Sequence, residues 1–149
     1  MALFDRIQED LKQAMKAGEK EKVGVFRMMV SEIKRLAIDE GRRDEITDEL
    51  VVSALSRSAK RRRESIEQYR AAGREDLAAK EEAELEIVAR YLPAPLTEEE
   101  LQALVIRAIE ETGAEGRKDM GKVMKAVMPK VQGRADGKAV QRMVLDRLG

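Results

Sequence analysis

The chain has 149 residues with 29 Lys/Arg against 29 Asp/Glu, so its formal net charge is zero. Charged residues make up 39%, apolar residues 43% and aromatics only 3%, a mix that suits helices better than sheet or disorder. Cys and His are both absent, which excludes disulfides and thiolate chemistry and removes the commonest general base and the usual zinc ligands.

Seven helical segments can be read in chain order, with no strand pattern and no internal repeat. The first spans Leu3 to Ala17, with Leu3, Ile7, Leu11 and Met15 four apart and Gly18 placed to end it. The second spans Glu19 to Glu40, with Val23, Phe26, Val30, Ile33 and Ala37 as its stripe and Gly41 behind it. Thr47 is placed to cap the third, where Asp48 and Glu49 suit the N-terminal dipole. That helix carries Leu55, Ala59, Ile66 and Tyr69 and stops near Gly73. The fourth spans Glu75 to Leu92, with Leu77, Leu85, Val88 and Leu92 inward.

Pro93-Ala94-Pro95 then breaks the helical pattern and marks a boundary. Thr97 and Glu100 form a capping box for the fifth helix, which Gly113 closes. The sixth spans Asp119 to Met128, just before Pro129. Gly133 to Gly137 reads as a loop, with Asp136 placed to cap a last helix that runs to Leu148. The expected organisation is all-α. Residues 1–92 form a four-helix up-and-down bundle, 93–96 a Pro-containing linker and 97–149 a small three-helix domain.

The opening MALFDRIQEDLKQ lacks the apolar core of a signal peptide. No apolar run approaches the roughly 20 residues that cross a bilayer. The expectation is a cytoplasmic protein with no membrane partner.

Charge is sorted sharply in the last third. Thr97 to Glu115 holds one Arg against six Glu, a net of −5, and Gly116 to Gly149 holds nine Lys/Arg against three Asp/Glu, a net of +6. At about 100° per residue, Lys118, Lys122 and Lys125 fall on one side of the sixth helix, opposite Met120, Val123, Met124 and Val127. Lys130 and Arg134 carry the charge into the loop, and Lys138 and Arg142 carry it onto the last helix, opposite Val140 and Val144. Such a surface can neutralise several phosphates. A solvated helix face is the plainer alternative. Gly121 lies on the flank between the two faces, which implies a closely packed backbone or, less simply, an approaching ligand.

A second basic run is Arg57, Lys60, Arg61, Arg62 and Arg63. Arg62 shares its arc with Leu55, Ala59, Ile66 and Tyr69 and so points inward. Pairing the third and fourth helices about Gly73 brings Arg62 opposite Glu84, which predicts an interface ion pair between them. The other basic residues of the run are offset by neighbouring acids. No constellation for catalysis is present. Glu98, Glu99 and Glu100 are explained as charge at a helix N-terminus, and a carboxylate-bridged metal bundle would want Glu-x-x-His. The reading is of a non-enzyme with no cofactor and no metal.

Three stretches carry a likeness: EDLKQAMKAGEKEKVGVFRMM, AAGREDLAAKEEAELEIVARYLP and KDMGKVMKAVMPKVQGRADGK. On these the chain resembles, over essentially its whole length, the YqeY family of small bacterial proteins. That family is related to the tail of GatB, the B subunit of the tRNA-dependent Asp/Glu amidotransferase. The resemblance implies a four-helix N-terminal bundle, a three-helix C-terminal domain and a role near tRNA. Lys122, Lys125, Lys130, Arg134 and Lys138 occupy the matching positions. A carbon–nitrogen ligase activity with glutamine as amide donor would need a glutaminase subunit and a kinase-like domain, and this chain contains neither. The expected function is therefore a tRNA-binding accessory module, with tRNA or amidotransferase subunits as partners. The alternative is a helical adaptor that binds another protein and has no RNA role.

Overall fold

The computed structural model describes residues 2–131 and 134–149. Among these the protein is all-α, with seven α-helices, one short 3-10 turn and no strand. They are α1 (Leu3–Ala17), α2 (Lys20–Asp39), α3 (Asp48–Ala71), α4 (Glu75–Ala89), α5 (Glu98–Thr112), the 3-10 turn Arg117–Asp119, α6 (Met120–Val131) and α7 (Gly137–Leu148). The chain divides into two compact units, Met1–Leu92 and Pro93–Gly149. Gly133, read as the start of the last loop, lies outside the described residues.

The turns are where short-range chemistry puts them. Gly18, Gly41, Gly73 and Gly113 each adopt a φ between 66° and 74°, the left-handed conformation that ends a helix without a Cβ clash. The Thr47 hydroxyl accepts from the Leu50 N–H, and that of Thr97 from the Glu100 N–H. The Thr97 box is one-sided, because the Glu100 carboxylate turns instead towards Arg134, 3.8 Å away.

In the first unit α1 packs on α2, α3 on α4, and α2 on both α3 and α4. Its core joins Ile7 and Ala14 of α1 with Phe26, Met29 and Ile33 of α2, Val51 and Leu55 of α3 and Val88 of α4. Two stripes differ from expectation. Met15 is 51% exposed and Ala14 is buried in its place. Steps of four residues advance about 40° past a full turn, so a Leu3-Ile7-Leu11-Met15 row drifts off the core, whereas Ile7 and Ala14, seven apart, stay on it. On α2 the core takes Val25, Met29 and Leu36, and leaves Val23 and Val30 on the rim. This helix contacts three others, so its buried arc is wider than one stripe.

Helix α4 ends at Ala89, before the expected Leu92. The next residues turn back, with the Tyr91 N–H donating to the Val88 carbonyl. Tyr91 is buried beside Phe26, ring centroids 6.1 Å apart and edge-on, and its hydroxyl donates to the Asp10 carboxylate. Burial, and then the Asp10 bond, push the Tyr91 hydroxyl pKa above its ordinary value, while Arg6 and Arg90 pull the other way. A phenol whose pKa rises on folding stabilises below its unfolded pKa, about 10, and that stability drains away as pH rises further. Urea stability of the wild type should therefore fall more steeply above pH 10 than that of Tyr91→Phe. Parallel curves for the two proteins would contradict this.

In the second unit eight residues form the core, six of them valines: Val105, Val123, Val127, Val131, Val140 and Val144. All six are fully buried. Helix α6 begins with Met120 and runs through Pro129 to Val131. Proline was expected to end this helix at Met128. Val131 continues the four-residue row of Val123 and Val127 into the core. Burying a valine stabilises by roughly 1.5 kcal/mol or more, which offsets part of the cost of the N–H that Pro129 lacks near the end of the helix. The segment 93–96, read as a linker, is tied into this unit. Leu96 N–H donates to the Arg134 carbonyl at 2.8 Å, Arg134 Nε donates to the Ala94 carbonyl at 3.0 Å, and Leu96 packs on the valine core.

Candidate nucleic-acid interface

The valine rows decide where the basic side chains stand. With Val123, Val127 and Val131 turned into the core, Lys122 and Lys125 project from the opposite side of α6, both exposed. Val140 and Val144 do the same for α7, leaving Lys138 and Arg142 exposed. Asp136 caps α7 by accepting from the Lys138 N–H at 3.3 Å, as its position in the sequence implied.

Lys118 is exposed but belongs to the 3-10 turn, so its phase follows that turn instead of α6. The turn is held by Asp119, whose carboxylate accepts from the Glu115 N–H at 3.0 Å. That bond, followed by the charges of Lys118 and Lys122, holds Asp119 below the usual carboxylate range.

The seven candidate side chains fall into two groups. Lys130 lies 3.6 Å from Glu111 on α5, and the half-buried Arg134 is engaged by Ala94 and Glu100. These two knit the unit together across its acidic and basic segments. Lys118, Lys122, Lys125, Lys138 and Arg142 have no carboxylate within 4.0 Å among the described residues. The sequence alone does not separate the groups, because the pairing of α5 with α6 depends on how the helices pack.

Gly121 corrects an expectation. A Cβ built there meets nothing within 4 Å, so no neighbouring backbone requires this glycine. Gly121→Ala should stabilise the protein by about 0.5 kcal/mol, less than a mid-helix exchange because the site is in the first turn. A lower urea midpoint for the variant would contradict the open geometry.

In the first unit Arg62 and Glu84 come together, Nη1 to Oε2, at 2.6 Å. Glu81 joins them at 3.3 Å, and the Met28 sulfur lies 3.2 Å from Nη2. Arg62 is 6% exposed. Of the remaining run, Arg61 pairs with Glu32, whereas Arg57, Lys60 and Arg63 have no acid within 4.0 Å among the described residues. The offset expected of the run is one of total charge, with 19 Lys/Arg against 20 Asp/Glu in residues 1–92, and one of these side chains is also paired directly. Among the described residues no cluster of His, Cys, Asp or Glu could hold a metal ion, and no helix is long and apolar enough to cross a membrane.

The comparison with known families is decided by extent. A model described as "Yqey-like protein" matches residues 4–148, nearly the whole chain. The chain belongs to the YqeY family. A YqeY relative in Pyrenophora tritici-repentis, named altered inheritance of mitochondria protein 41, mitochondrial, is 33% identical over 99% of this chain and 81% of its own length. A protein of the same name in Vanderwaltozyma polyspora is 40% identical, over 58% of this chain and 46% of its own length. In Eremothecium gossypii another is 35% identical over 59% of this chain and 48% of its own length. The chain thus spans most of the first relative and about half of the other two.

Proposed function

We propose that this YqeY protein is a non-catalytic RNA-binding module that grips the phosphate backbone of folded RNA, tRNA first among candidates, through its second unit. The carrying observation is that five of the seven candidate side chains, Lys118, Lys122, Lys125, Lys138 and Arg142, stand exposed on the Arg117–Asp119 turn, α6 and α7 with no carboxylate within 4.0 Å among the described residues. Unpaired, fixed cations on rigid helices suit phosphate contacts, which position RNA without reading its sequence. Aromatics at 3% of the chain give little material for stacking on unpaired bases, so a folded surface fits better than a single strand. The likeness to the GatB tail supports tRNA and suggests amidotransferase subunits as partners in the cytoplasm. We read the first unit as an up-and-down bundle, on the succession of α1 on α2, α2 on α3 and α3 on α4.

A competition assay tests the reading against a protein adaptor. Labelled tRNA should be displaced by unlabelled tRNA far better than by an unstructured single strand or by polyglutamate. Displacement by polyglutamate at equal charge concentration would favour an acidic protein partner. The absence of any tRNA binding at low salt would remove the proposal.

A further inference from the structure

We propose that the groove between α2 and α3 is a second phosphate site, one that takes the sugar–phosphate backbone of RNA. The occupant, though not the anion site itself, rests on the RNA reading above. Glu32, Arg35 and Asp39 line the groove from α2, and Arg57 and Arg61 from α3, around a cavity of about 210 Å³.

Charge is the first argument. Arg61 is committed to Glu32, Nη2 to Oε1, at 3.1 Å. Arg35 and Arg57 have no carboxylate within 4.0 Å among the described residues, leaving two guanidinium groups against Asp39 alone. Arg57 and Arg61 stand four apart on one helix, an arrangement that repels and weakens the helix slightly. An anionic phosphodiester between them replaces that repulsion with attraction to both, and the planar guanidinium fork matches phosphate geometry.

The second argument comes from Glu32. Its Oε2 is buried with no hydrogen-bond donor among the described residues, and an orphaned carboxylate oxygen is costly. A phosphate supplies only acceptors. The 2′-hydroxyl of an adjoining ribose supplies a donor, and Arg61, 62% exposed at its side chain, can swing to admit it. An acidic peptide would bring anions but lacks that hydroxyl.

Size is the third. Sites for whole small molecules run from roughly 300 to 1,000 Å³. This cavity is smaller than that range, and no aromatic side chain lines it. The rest of the ligand lies outside, as the backbone of a polymer does.

The test is a backbone-amide NMR titration of the full chain, first with inorganic phosphate, then with tRNA, beside Arg35→Gln/Arg57→Gln. Both substitutions are at exposed positions, so the variant should keep its fold. Phosphate should shift signals over residues 32–39 and 54–61 in the wild type and not in the variant. The same signals should respond to tRNA. The variant's tRNA affinity should fall about tenfold, with a salt slope shallower by about 1 to 2. A response to phosphate but not to tRNA would overturn the RNA occupant in favour of a free phosphorylated ligand. Polyglutamate shifting these signals where phosphate does not would overturn the site in favour of an acidic partner, and silence towards every probe would also overturn it. Loss of tRNA binding in a Lys122→Glu/Lys125→Glu variant, with Arg35→Gln/Arg57→Gln unchanged, would sink this groove and leave the α6 and α7 face standing. The reverse pattern would do the opposite.

Discussion

Arg62→Ala should lower the unfolding free energy by about 3 kcal/mol, read as a shift in urea midpoint at unchanged slope. Arg62 is 6% exposed, and its guanidinium at the α3–α4 interface pairs with both Glu81 and Glu84. Removing it leaves two like charges, three residues apart on α4, beside a vacated volume. The cost sits at the low end for a buried pair because the two carboxylates keep 24% and 23% of their surface in water. Glu84→Gln should cost much less, about 1 kcal/mol, since Glu81 still holds Arg62. A loss below 1 kcal/mol for Arg62→Ala would place this cluster with exposed ion pairs, whose worth is small. In that case the interface would rest on Ala59, Ile66 and their apolar neighbours alone.

The second large effect concerns binding. Lys122→Glu/Lys125→Glu turns two cations into two anions on one face of α6, a change of four charges within about a turn. Each phosphate contact contributes roughly 0.9 to the salt slope, and reversal adds repulsion to the lost attraction. A loss of at least a hundredfold in tRNA affinity at low salt is expected. Stability should hardly change, because both side chains are exposed and neither has an ion-pair partner among the described residues.

What could be read from sequence, and what could not, follows from the range of the interactions involved. Gly18, Gly41, Gly73 and Gly113, with Thr47, Thr97 and Asp136, act within a few residues of themselves, so the helix ends were legible. The inward phase of Arg62 was legible because 24 residues of α3 average out small errors in helical phase. Features that depend on packing were not. Ala14 displaces Met15, and Met29 is 1% exposed because α2 touches helices on several sides. Val131 holds Pro129 within α6 through a core that forms only when α5, α6 and α7 meet. The engagement of Lys130 with Glu111 and of Arg134 with Ala94 depends on the same packing. The Arg35, Arg57 and Arg61 groove joins two segments about twenty residues apart. Only the density of arginine on α3 hinted at it.

The most direct test of the account is the salt dependence of tRNA binding by fluorescence anisotropy, wild type beside Lys122→Glu/Lys125→Glu. The account predicts wild-type binding that weakens steeply with salt, and a folded variant with much weaker binding and a slope shallower by about 2. Equal affinity and equal slope for the two proteins would contradict it.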